Sequence, residues 1–177
     1  THNYIAEMLF QNCEHHGIDY KPIEIGDVVY DGKDGVKIWV LFPSDLLYQN
    51  TDSSSKNNES IVLMVEYKNK KFLLMGDIED VVEKKLVEYL DLKADVLKVG
   101  HHGSNTSTSY TLLSEVLPDF SIISCGDNYE YGLPSDEVIN RLNNYNSKIY
   151  NTNTDGNITF ILDNQGNLSI KTSKHGG

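Results

Sequence analysis

Three short apolar runs constrain this chain more than any other feature: residues 60–67 (SIVLMVEY), 71–75 (KFLLM) and 94–99 (ADVLKV). Each has the length and the β-branched or aromatic content of a strand, and none is long enough for a buried helix. Their near-continuous hydrophobicity, without polar alternation, predicts strands covered on both faces. Only residues 68–70 (KNK) separate the first two, which predicts a hairpin. Between the second and third runs, Val82, Leu86 and Leu90 repeat at i, i+4 and i+8, while Asp77, Glu79 and Asp80 gather where a helix dipole favours negative charge. A helix over 79–90 therefore joins two strands, and the class is an α/β layered sheet.

The alternation continues in both directions. Ile5, Met8 and Leu9 predict a short amphipathic helix over 3–16, stopped by Gly17. Residues 36–42 (VKIWVLF) follow the turn-rich DGKDG and end at Pro43, as a strand does. The low-complexity stretch 49–59 (QNTDSSSKNNE) is a loop of the length that is mobile or functional. After the third run come a helix carrying Leu112, Leu113 and Val116, a strand over 120–124, a helix over 135–144 and a short strand over 148–151. Residues 158–162 and 168–171, flanking DNQG, read as a closing hairpin. No internal repeat is present, and 177 residues are expected to form a single domain, 1–177.

Composition removes several functions. With 39% hydrophobic and 10% aromatic residues the chain has enough apolar material for a core, so disorder is excluded. Fifteen basic against 26 acidic residues leave a net charge of −11, so a polyanion meets a repulsive mean field and could bind only through a local patch or metal ions. Cys13 and Cys125 stand in unrelated contexts and predict two small buried hydrophobes. No run approaches a membrane span of roughly 18 apolar residues. The sequence opens without Met and enters a helical pattern almost at once, as a piece of a longer polypeptide does.

Polar residues just beyond the C-terminal ends of buried strands are where an α/β sheet binds its ligands. Asp77 follows FLLMG, and His101 and His102 follow a strand and are bracketed by Gly100 and Gly103. A carboxylate and imidazoles on neighbouring strand ends are ligand types for Zn²⁺ or Mn²⁺. An Asp between strand and helix is also a common N-cap, and that reading of Asp77 stands beside the first. His15 and His16 read as the solvated end of the first helix. No Gly-x-Ser-x-Gly elbow, dinucleotide fingerprint or Walker loop occurs.

The segments NNESIVL (57–63), FLLMGD (72–77), DVLKVGHHGS (95–104), IISCGDNY (122–129) and YGLP (131–134) resemble, in order and spacing, the metallo-β-lactamase-type domain of the ComEC family of competence proteins. The resemblance covers essentially the whole chain and implies a four-layer αββα sandwich of which this chain is the C-terminal half. The His-x-His-x-Asp-His run that such domains carry in their first half is absent from the sequence, and the expectation is that it lies in an upstream half of the same domain. By position, Asp77 resembles the carboxylate that bridges two metal ions, Zn or Mn, and the His101–His102 pair resembles a catalytic loop facing a scissile phosphate. Leu133 stands where the family commonly has a His that resembles the last metal ligand, which bears on the second ion. The resemblance implies a metal-dependent phosphodiesterase or nuclease acting on a phosphodiester or nucleic acid. The competing expectation is a non-catalytic, degenerate domain that binds a partner or supports another domain.

Overall fold

A computed structural model describes residues 4–44, 55–127 and 131–174. Among them a seven-stranded mixed sheet runs in sequence order: β1 (Val28–Asp31), β2 (Val36–Phe42), β3 (Val62–Tyr67), β4 (Lys70–Leu74), β5 (Val96–Lys98), β6 (Phe120–Ile123) and β7 (Lys148–Asn151). The first four strands pair antiparallel, and β4 to β7 pair parallel. Helices α1 (Tyr4–His15), α2 (Asp80–Tyr89), α3 (Tyr110–Val116), α4 (Asp136–Asn144) and the single turn α5 (Thr152–Asp155) accompany it. The last hairpin, β8 (Ile158–Leu162) with β9 (Leu168–Thr172), is a separate sheet.

The layering follows from handedness. Each parallel connection moves one strand further in the same direction, and a right-handed crossover then puts every connecting helix on one face. On that face Met64, Leu73 and Leu97 meet Val82 and Leu86 of α2, Leu112, Leu113 and Val116 of α3, and Val138 and Leu142 of α4, all at most 1% exposed. Adjacent strand residues point to opposite faces, so Phe72, Val96 and Phe120, aligned in register, occupy the other face. There Phe160 of β8 lays its ring edge-on against Phe72 (5.7 Å) and Phe120 (6.1 Å). The hairpin is thus a partial second layer.

Several expectations change in detail. The β3–β4 pair, expected to be covered on both faces, is fully buried only on the helix side and half-buried on the other. The loop between them is Lys68-Asn69, with Lys68 left-handed (φ 56°). Helix α1 forms, but Met8 and Leu9 of its apolar stripe stay exposed, and Phe10 instead stacks on Tyr20 at 4.8 Å. Strand β1 (VVYD) is not assigned from sequence and is the exposed edge. Of the 49–59 loop, residues 49–54 lie outside the described residues, and Lys56–Glu59 is a 3-10 turn with Asn58 buried. Among the described residues no helix is long and apolar enough to cross a membrane.

The connection from β5 to α3 is held from two sides. Glu83 of α2, wholly buried, accepts the backbone N–H groups of Thr108 and Ser109 (2.8 Å to the latter). Arg141 of α4 donates to the carbonyls of Asn105 (2.9 Å), Ser107 and Thr108 (both 3.0 Å). Thr108 has φ 56°, and its buried hydroxyl has no hydrogen-bond partner. A strained loop is therefore fastened through its main chain by one anion and one cation.

Candidate metal and phosphate site

The ends of β4, β5 and β6 come together because parallel strands finish on one side of the sheet. Gly76 follows β4 with φ 57°, and a Cβ there would lie 2.7 Å from Ser60 Cβ and 3.0 Å from Ile61 O. Only glycine turns the chain this close to the segment before β3. Asp77 comes next, its N–H donating to Ser60 Oγ at 3.0 Å. Its carboxylate does not cap α2. The N-cap of that helix is Glu79, which makes no side-chain capping bond, so the capping reading of Asp77 is overturned by a helix that starts two residues further on.

His101 and His102 sit in a turn spanning Gly100–Gly103, and both have left-handed backbones (φ 45° and 54°). Two successive non-glycine residues in that region cost on the order of 1–2 kcal/mol each. The His101 N–H bonds to Gly76 O at 3.0 Å, which ties this turn to the β4 end. Gly103 has φ 84°, and a Cβ there would meet Pro134 at 2.6 Å. The strain turns His102 toward the carboxylate: its Nε2 lies 3.7 Å from Asp77 Oδ1, with the two side chains 49% and 40% exposed. Its Nδ1 is 2.6 Å from Ser124 O, the residue after β6. His101 turns away from the carboxylate, with Nδ1 3.3 Å from Thr106 Oγ1 and Nε2 3.3 Å from Asn57 Nδ2.

A cavity of about 340 Å³ opens beside the histidines, lined by His101, His102, Cys125, Gly126, Tyr131 and Leu133. Cys125, expected to be a buried hydrophobe, is only partly buried in this wall and donates to Asn151 Oδ1 at 3.1 Å; Cys13 is likewise partly buried. Both cysteines are thus less buried than expected, though Cys125 still packs against the core. Lys98, the last residue of β5, is half-buried and donates to Val99 O at 3.0 Å. Burial holds its ammonium below the ordinary lysine range, and the nearby Asp77 carboxylate opposes this only in part. Asn57, Glu79 and Lys98 were not read as site residues from sequence, although Asn57 and Lys98 lie in the segments that carry the family resemblance and Glu79 in the acidic start of α2.

Asp77 Oδ1 and His102 Nε2 present two Lewis-basic atoms to one space. The 3.7 Å separation is an ion-pair distance when the imidazole is protonated. Asp77 is the carboxylate donor that fits a cation, with one imidazole nitrogen beside it. Among the described residues no group of three or more His, Cys, Asp or Glu side chains converges.

Fold and site together define a mixed α/β domain with metal-ligating side-chain types at the C-terminal edge of its parallel strands. The chain is homologous to proteins named for competence and recombination. It is 33% identical over 166 residues to ComE operon protein 3 of Bacillus subtilis, covering 93% of this chain and 20% of that protein. It is 41% identical over 109 residues to Recombination protein 2 of Haemophilus influenzae, covering 62% of this chain and 14% of that protein. With Competence protein ComA of Neisseria gonorrhoeae the identity is 35% over 135 residues, 75% of this chain and 19% of the relative. The chain therefore spans a fifth or less of the length of these relatives. No family model matches it.

Proposed function

We propose that this chain forms part of a metal-dependent phosphodiesterase or nuclease of the ComEC type, built as the C-terminal half of a metallo-β-lactamase-like αββα sandwich. The observation that carries the reading is the pair Asp77 Oδ1 and His102 Nε2, 3.7 Å apart and facing each other across adjacent strand ends. Asp77 would hold Zn²⁺ or Mn²⁺, in one or two ions, with the remaining ligands supplied by an upstream segment of the same domain. The metal, when bound, supplies Lewis-acid polarisation of a phosphoryl oxygen.

This chain's own residues do the rest. The Ser124 carbonyl fixes the His102 proton on Nδ1, because a carbonyl only accepts. His102 Nε2 is then free to accept a proton and, once protonated, to donate a hydrogen bond to a phosphate oxygen or a departing alkoxide. The Lys98 ammonium adds positive potential near Asp77 against the chain's −11 charge. Tyr131 and Leu133 line the cavity beside the two histidines.

The reading is tested by assaying the chain, alone and joined to the polypeptide encoded before Thr1, on bis-p-nitrophenyl phosphate and single-stranded DNA with Mn²⁺ or Zn²⁺. Turnover that requires the metal and is lost on chelation is the expected result. Its absence from both preparations overturns the proposal.

Leu133 favours the second reading, a domain that keeps the scaffold without catalysis, since it puts an isobutyl group in the wall shared by both histidines. Leu133→His is expected to tighten Zn²⁺ binding about tenfold or more, roughly 1.4 kcal/mol, measured by competition with a chromophoric chelator. Unchanged affinity would show that this wall does not face the cation. Stoichiometric metal retained by the unaltered joined protein after dialysis counts against the scaffold reading.

A further inference from the structure

The two adjacent histidines are held by different partners, and those partners assign them different work. Building on the hydrolase reading, we infer that His102 alone is offered to substrate, while His101 is a positioning residue whose ring is locked by Asn57 and, through Asn57, by Glu79.

The argument starts at the Glu79 carboxylate, which when ionised can only accept. Its Oε1 receives Ser55 Oγ at 3.2 Å and Asn57 Nδ2 at 3.3 Å, and its Oε2 receives Asn58 Nδ2 at 3.3 Å. The Glu79 N–H in turn donates to Asn58 Oδ1 at 2.7 Å. The 3-10 turn before β3 is thereby strapped to the segment that follows Asp77. Reversing the Asn57 amide would set its oxygen against the carboxylate, so the amide nitrogen must face Glu79.

That same nitrogen lies 3.3 Å from His101 Nε2. An amide nitrogen donates and does not accept, so His101 Nε2 must be the acceptor and the ring proton must sit on Nδ1. Thr106 Oγ1, 3.3 Å from Nδ1, takes that proton's hydrogen bond, and Thr106 is itself held by Ser104 Oγ at 3.0 Å. Both nitrogens of His101 are thus occupied within the fold. His102 has the same tautomer for a different reason, its Nδ1 donating to Ser124 O, while its Nε2 makes no hydrogen bond among the described residues and faces Asp77 Oδ1 at 3.7 Å.

The fastening has a mechanical purpose. His101 precedes His102 in a left-handed turn, and its N–H bonds to Gly76 O, the carbonyl immediately before Asp77. Locking the His101 ring holds the backbone that aims His102, so Asn57 and Glu79 position the reactive imidazole without touching substrate.

The test is a long-range proton–nitrogen correlation spectrum of the full chain labelled with [¹⁵N]histidine, at about pH 8, above the ordinary histidine range near 6.5. His101→Gln identifies the His101 signals and His102→Gln the His102 signals. Both rings are expected as the Nδ1–H tautomer. In Asn57→Ala, His101 is expected to shift to a mixture with the Nε2–H form while His102 keeps its signature, and Glu79→Gln is expected to shift His101 in the same direction by less. An Nε2–H tautomer for His101 in the unaltered chain overturns the inference, as does an unchanged His101 signal in Asn57→Ala. The unaltered chain's spectrum decides the tautomer even if Asn57→Ala does not fold. In the joined, metal-loaded protein, His102→Ala is expected to lower kcat at least tenfold more than His101→Ala, and equal losses overturn the assignment of roles. Absence of any turnover in the unaltered protein refutes the hydrolase reading, and with it the roles, while the spectra still report whether Asn57 locks His101.

Discussion

Asp77→Ala is expected to lower metal-dependent turnover by at least about 10³-fold, roughly 4 kcal/mol of transition-state stabilisation, and to leave the fold intact. The two halves of that expectation come from one fact. The Asp77 carboxylate does not cap α2, and the Asp77 N–H, which bonds to Ser60 Oγ, survives the substitution. The side chain is 40% exposed, so its removal opens no core cavity. A carboxylate that makes no capping bond to its helix yet faces an imidazole at 3.7 Å is placed for a ligand. The measurement is bis-p-nitrophenyl phosphate cleavage with Mn²⁺ beside thermal unfolding of the same preparation. Retained turnover in Asp77→Ala would sink the metal-ligand role. A large loss of Tm would instead return Asp77 to a structural part.

Glu83→Ala is expected to cost about 2–4 kcal/mol, because it strands the buried Thr108 and Ser109 N–H groups that the carboxylate now satisfies. For a domain of this length the melting temperature should fall by about 5–15 °C. The pH dependence has a definite sign. Burial pushes the Glu83 carboxyl above its ordinary value, and the N–H groups of Ser109 and Thr108 pull it partly back, leaving it raised. The folded chain therefore keeps this proton to a higher pH than the unfolded chain does. Its contribution to stability is greatest at low pH, falls as pH rises from the ordinary carboxylate range of about 4.3 to the raised folded value, and is constant beyond. Urea midpoints for the unaltered chain and Glu83→Gln, followed across that range, should differ by this slope. Parallel curves would show that Glu83 does not titrate between the two states. Since Glu83 holds the loop that carries Thr106, Glu83→Ala should also disturb the Thr106 contact to His101.

Much of the architecture was legible. The order of strands β2 to β9 and of α1 to α4 follows the hydrophobic periods, because in those segments local pattern and final burial agree. The placement of Asp77 and His101–His102 beyond strand ends was legible for the same reason. Other features were not. Strand β1 is an exposed edge whose pairing to β2, not its own pattern, makes it a strand. The stripe of Met8 and Leu9 predicted burial that α1 does not achieve, since periodicity states what a helix could bury and not whether a surface is there to meet it. Asp77 could be a cap or a ligand by sequence, and the choice fell to the residue at which α2 begins.

By itself the sequence determined which segments are strands and helices, that they alternate into an α/β sheet, and which residue types stand at the strand ends, because those properties depend on neighbours a few residues apart. Only the tertiary structure decided that His102 and not His101 faces Asp77, that Asn57, held by Glu79, reaches the His101 ring, and that Cys125 and Leu133 share a wall with both histidines. These pairings join residues 22 to 44 positions apart along the chain. They exist because four parallel strands end on one side of the sheet and two histidines accept a left-handed backbone to turn there. Side-chain direction at such a turn is set by packing and hydrogen bonds made at a distance, which local pattern does not encode.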